Sequence, residues 1–126
     1  MDDKRQYPRF SCKIKTDFEY YEGDPDELDT TVSIPLKAKG VIMDISRGGL
    51  FLVSNSRVGI NVPVILRFRT KKQQYDLKGF VVRTGLVKNN PSEIARRIST
   101  LQVKGDSYIA VQFDTPLSEL DSRDLS

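Results

Sequence analysis

What most limits the folds open to this chain is a series of short runs in which apolar and polar residues alternate. Phe10, Cys12, Ile14, Thr16 and Phe18 alternate with Ser11, Lys13, Lys15 and Asp17. Period two sends one set of side chains into a core and the other into water, as in a half-buried strand. Five more strands are predicted over Leu36–Ile45, Leu50–Val53, Val64–Arg69, Tyr75–Val87 and Tyr108–Phe113. Gly79 interrupts the fifth run, and a glycine inside a strand often marks a bend or bulge. Turn-forming residues separate the runs: Glu22-Gly23-Asp24-Pro25, Arg47-Gly48-Gly49, Asn61-Val62-Pro63 and Lys88-Asn89-Asn90-Pro91. The expectation is an all-β antiparallel sandwich or barrel. A closed barrel has the advantage that no strand edge is left exposed.

Two helical pieces accompany the strands. Ser92 is placed to cap a short helix carrying Ile94, Ile98 and Leu101, within an insertion over residues 88–105. Pro116–Ser126 opens like a second helix, with Ser118 three residues before Asp121, and stops after barely two turns. The 126 residues suit one domain. Its parts are an arm over 1–10, a barrel over 10–115 and a C-terminal helix, cut short, over 116–126.

Composition narrows the chemistry. The chain has no histidine and one cysteine, Cys12. Imidazole-based triads are therefore excluded, and so is a zinc site of the usual ligand set. No catalytic residue, metal or cofactor is expected. A single cysteine permits no intrachain disulfide, which fits a reducing compartment. No apolar run approaches the roughly 18 residues needed to span a bilayer, and none follows Met1–Arg5, so membrane insertion and secretion are not expected. The cytoplasm is the expected location. The formal charge of +3 is too small to announce a nucleic-acid binder, and the strand faces have too few aromatics for a single-strand platform. No DNA or RNA partner is expected.

Four groups of polar residues remain to be explained. Glu22, Asp24, Asp26, Glu27 and Asp29 lack the spacing of a calcium loop and read as solvated. Arg67, Arg69, Lys71 and Lys72 read as the wet face of a strand and its turn. The arm Lys4-Arg5-Gln6-Tyr7-Pro8-Arg9 is more suggestive. Pro8 biases Tyr7 toward extended backbone, and in an extended arm Arg5 and Arg9 project to the same side. The guanidinium fork matches phosphate, stacks on base rings and reads a guanine edge. The fourth group is Asp44-Ile45-Ser46-Arg47-Gly48-Gly49, between the second and third strands. Asp44 and Ser46 share a side, and a carboxylate there can accept from the N–H groups of a guanine edge. Gly48 and Gly49 would allow positive φ and close approach of a ligand to the backbone. As a pair, these two clusters point to an anionic nucleotide.

Arg5-Gln6-Tyr7-Pro8-Arg9 and Asp44-Ile45-Ser46-Arg47-Gly48-Gly49 together resemble the PilZ domain family, marked by RxxxR in an N-terminal arm and (D/N)xSxxG some tens of residues later. Gly79–Arg83 and Ile109–Phe113 are similar to its later strands, so the resemblance covers nearly the whole chain. It implies a six-stranded antiparallel β-barrel that binds the bacterial messenger cyclic di-GMP. Carried over by position, Arg5 and Arg9 would clamp phosphates and guanine rings, Asp44 and Ser46 would bond a guanine edge, and Gly49 would supply the tight turn beneath it. Lys4, Arg47 and Gly48 would assist. The resemblance also implies a downstream protein partner. The alternative is an adaptor of the same fold that binds no nucleotide and acts through proteins only.

Overall fold

The computed structural model describes residues 7–87 and 105–125. Six antiparallel strands close into a barrel: β1 Phe10–Tyr20, β2 Leu36–Ile45, β3 Gly49–Ser54, β4 Pro63–Arg69, β5 Gln74–Leu86 and β6 Ser107–Phe113. Their order around the barrel is β1-β2-β3-β6-β5-β4, with β4 pairing back onto β1. Of the two architectures the alternation allows, the chain adopts the closed one, and each expected strand is present to within a few residues. The expected helix at Ser92 lies outside the described residues. No helix among the described residues is long and apolar enough to cross a membrane.

The inward set of the alternation makes the core. Phe18, Ile42, Ile45, Leu52, Leu66, Val81 and Ile109 are all at most 2% exposed. Burying a side chain of this kind is worth roughly 1.5–3 kcal/mol. A second, smaller cluster lies on the outer face of the sheet, where Met43 and Val53 pack with Val41, Phe51 and Val87. Every buried side-chain nitrogen or oxygen among the described residues has a hydrogen-bond partner.

Three register shifts interrupt the ladders, one on β1 between Ser11 and Ile14 and one each on β2 and β5. On β2, Ile42 pairs with Leu52 and Asp44 with Phe51, so Met43 is an extra residue. On β5, Val81 pairs with Val111 and Arg83 with Ala110, so Val82 is extra. The bend expected at Gly79 is therefore displaced to Val82. Gly79 itself keeps register, opposite Val64 and Phe113. What requires a glycine there is close approach, since a Cβ would run into the carbonyl oxygen of Gln112.

The expected wet face is observed at β4. Arg67 bonds Glu19 on β1 and Asp76 on β5, and Lys72 bonds Asp121 at 3.1 Å. Exposed, solvent-screened pairs of this kind contribute little to stability. The acidic loop folds on itself: Asp24 accepts from the Asp26 amide and Asp29 from the Thr31 amide and hydroxyl.

The C-terminal piece departs from expectation. Ser118 caps nothing, and among the described residues of this piece the helix is a single 3-10 turn, Ser122–Leu125. Its cap is Asp121, whose carboxylate accepts from the Arg123 amide at 2.9 Å. Hydrogen bonds from Arg123 hold the Asp121 carboxyl well below the usual carboxylate range. The turn is tight because two consecutive residues must reach inward. Leu125 enters the core at 6% exposure. Buried Asp124 accepts from Thr70 Oγ1 at 2.6 Å and from the Lys72 amide at 2.7 Å. Asp124→Ala would leave the Lys72 amide unpaired and the Thr70 hydroxyl with only the longer bond to the Gln73 carbonyl. We expect a loss of about 2 kcal/mol, seen as a lower urea midpoint at unchanged m-value.

Candidate ligand-binding site

The β2 bulge aims the site. Ile42 and Ile45 both point into the barrel although they are three apart, which only an extra residue between them permits. Without Met43 as that extra residue, Asp44 would follow Ile42 into the core. With it, Asp44 turns to the outer face together with Ser46. Re-aiming a side chain is a common use of a bulge beside a functional site.

Ser46 then closes the turn to β3. Its amide donates to the Gly49 carbonyl at 2.8 Å, and its hydroxyl accepts from the Gly48 amide at 3.2 Å. The far side of the turn is tied to the end of the barrel. Gly48 accepts from the Phe113 amide and Arg47 from the Leu117 amide, each at 2.8 Å. Arg47 Nε donates back to the Leu117 carbonyl at 2.7 Å. The turn is thus held from both ends before any ligand arrives.

Neither Gly48 nor Gly49 has a positive φ; the glycines that do are Gly23 and Gly105. The positive φ expected to be of use at Gly48 and Gly49 is therefore not adopted, although Gly49 does close the turn through the Ser46 amide. Gly49 pairs with Gln112, and a Cβ on it would strike the Val111 carbonyl oxygen. A glycine is needed because β6 lies directly against it.

These elements wall an open groove of about 370 Å3 on the outer face. Arg9, Asp44, Ser46, Gly48 and Gly49 all line it, so residues from the arm and from the β2–β3 turn meet there. Asp44 is 5% exposed, while Arg9 is exposed. A carboxylate in so dry a wall is a stronger acceptor for N–H groups than one in water. Arg47 belongs to the turn but does not line the groove. Arg5 and Lys4 lie outside the described residues.

Several lining residues escaped the reading of the sequence. Val82, the extra residue of the β5 bulge, lines the opposite wall at 44% exposure, and Gln112 stands beside it on β6. Tyr7 also lines the groove, with the Arg47 guanidinium carbon 4.8 Å from its ring centre. Tyr7 was within reach of sequence reasoning, because it falls between Arg5 and Arg9 on the same side of an extended arm. Val82 was not, because a bulge follows from pairing and not from local pattern.

No group of three or more histidine, cysteine, aspartate or glutamate side chains among the described residues is arranged to hold a metal ion. The groove offers donors and acceptors around an open apolar floor, which is the equipment of a binding module. The PilZ domain family matches residues 3–126, and the chain belongs to that family. PilZ domains are receptor or adaptor domains rather than typical enzymes. Among solved structures, the Bacillus subtilis inhibitor of motility (MotI/DgrA) is similar over 98% of this chain, with a TM-score of 0.59 and 15% identity. The chain spans 48% of that protein's length. The PilZ domain of YcgR from Escherichia coli, solved with c-di-GMP, is similar over 98% of this chain and 86% of its own, with a TM-score of 0.57 and 11% identity. No curated protein sequence matches the chain.

Proposed function

We propose that this domain is a receptor for cyclic di-GMP that relays the messenger through its N-terminal arm to a protein partner. The observation that carries this reading is convergence: Arg9 and the Asp44–Gly49 turn, far apart in the sequence, line one groove. Arg9 supplies a fork for phosphate or a guanine edge, and Asp44 and Ser46 supply acceptors for guanine N–H groups. A nucleotide-bound YcgR PilZ domain of the same fold supports the same ligand. The likeness to an inhibitor of motility makes control of movement the first output to examine, with surface attachment beside it.

Calorimetric titration with cyclic di-GMP, with GTP as control, tests the reading. The expected result is salt-sensitive binding of cyclic di-GMP and none of GTP. Absence of heat up to millimolar ligand would sink it and favour the adaptor that works through proteins only.

The relay makes its own prediction. Arg9 and Pro8 are exposed, so the arm presents surface that a ligand can engage. Charge-assisted bonds to a ligand should order it against the barrel. Hydrogen exchange of residues 1–10 is expected to slow at least several-fold when cyclic di-GMP is added. Equal exchange with and without ligand would show that the signal leaves by another route.

A further inference from the structure

We infer that Tyr7 is a nucleobase-stacking residue of the groove, and that Gly48 is the position that seats its ring; this rests on the proposed nucleotide-receptor reading and deepens it. Tyr7 and Arg9 line the groove and Pro8 between them does not. The arm therefore presents alternate residues to the site, an aromatic ring next to a guanidinium. An aromatic face beside a phosphate-matching cation is the chemistry that holds a nucleotide by its base and its phosphate together.

The ring is held rather than loosely placed. The Arg47 guanidinium lies over it at 4.8 Å, within cation–π range. That guanidinium is itself fixed by Nε donating to the Leu117 carbonyl. The ring edge rests on Gly48: a Cβ built there would lie 3.1 Å from Tyr7 Cδ2 and 3.4 Å from Cε2. Those distances are tight enough that the ring must give by a few tenths of an ångström to admit a Cβ at residue 48. Pro8 removes the helical option for Tyr7's backbone. Each of these contacts fixes the orientation of a half-buried tyrosine that still gives surface to the groove. The hydroxyl makes no hydrogen bond among the described residues, so nothing in the arrangement needs a tyrosine rather than a phenylalanine.

The test is a double-mutant cycle read by cyclic di-GMP titration of the full chain. Stacking of a base on an aromatic ring is worth enough that Tyr7→Ala should weaken affinity roughly 5- to 100-fold. Tyr7→Phe should stay within about twofold of the unaltered protein. Gly48→Ala should weaken binding several-fold alone and add nothing to Tyr7→Ala, because once the ring is gone there is nothing to displace. The thermal midpoint of each variant separates lost fold from lost contact. Unaltered protein that binds no cyclic di-GMP overturns the receptor reading and this assignment with it. If the unaltered protein binds, a Tyr7→Ala variant of equal affinity overturns the assignment alone, leaving Tyr7 as a prop for Arg47. Tighter binding by Tyr7→Ala also overturns it, because the ring would then be occupying space the ligand needs. Additive losses from Gly48→Ala and Tyr7→Ala overturn the seating role of Gly48.

Discussion

Replacement of Arg9 by alanine is expected to weaken cyclic di-GMP binding by about 100-fold or more while leaving the thermal midpoint nearly unchanged. The two halves of that result have separate causes. Arg9 is exposed and lies just before β1, so its removal disturbs no packing. Exposed substitutions of that kind usually move stability by no more than about 0.5 kcal/mol. In the complex, by contrast, the guanidinium would make a forked, charge-assisted contact, and bonds to a charged group are worth about 1.5–3 kcal/mol each. One such fork accounts for two decades of affinity. Arg9→Lys keeps the charge and loses the fork, so it should fall between the two, about tenfold weaker than arginine. Calorimetry at two salt concentrations separates these contributions: the loss of charge flattens the salt dependence, and the loss of the fork does not. An Arg9→Ala protein that binds as tightly as the parent would remove the arm from the site.

The second large effect is on the fold. Gly49→Val is expected to destabilise the barrel by about 3 kcal/mol or more. Gly49 pairs with Gln112, and any Cβ there collides with the Val111 carbonyl. The obstruction is backbone, which cannot rotate away as a side chain can, so β3 and β6 must separate locally. Overpacking of this sort costs roughly 1–3 kcal/mol even where neighbours can yield. The ladder bonds lost at the seam add to it. Gly59→Ala is the control, because a Cβ at residue 59 meets only Val62 at an ordinary 3.5 Å. That variant should be neutral or slightly stabilising, as removal of a glycine usually is where the backbone permits. Urea denaturation of both proteins checks the contrast. Similar midpoints for the two would mean the β3–β6 seam yields easily.

Most of the barrel could be read in the sequence because its strands are half-buried, and period two survives wherever one face is wet. Phe10 to Phe18 and Val64 to Arg69 are clear for that reason. The reading fails where pairing partners, not neighbours, decide the geometry. Val41-Ile42-Met43 looks like one apolar strand end. Only opposite Leu52 and Phe51 does Met43 become an extra residue that turns Asp44 outward. Gly79 was a sound signal with the wrong meaning, since what it accommodates is Gln112 across the seam. The same holds for Gly49. At the site, the convergence of Arg9, Asp44 and Ser46 on one groove was legible, because these polar clusters had no role in the strand pattern itself. Tyr7 was legible by the same period-two spacing that pairs Arg5 with Arg9; what the sequence could not show is the Gly48 turn its ring rests on. The C-terminal turn was misread because Asp124 and Leu125 are fixed by Thr70, Lys72 and the core, not by capping within their own segment.

The placement of β6 has a consequence for how the molecule is made. Translation delivers the strands in numerical order, yet β6 belongs between β3 and β5. Until it emerges, β3-β2-β1-β4-β5 is an open sheet with two bare edges, each able to pair with another chain. The Arg47 and Gly48 carbonyls likewise wait for the Leu117 and Phe113 amides. On the ribosome the Asp44–Gly49 turn thus lacks its anchors, and the groove it lines lacks a wall, until β6 has slotted home. A complete groove and protection from misassembly arrive together, in one closing step.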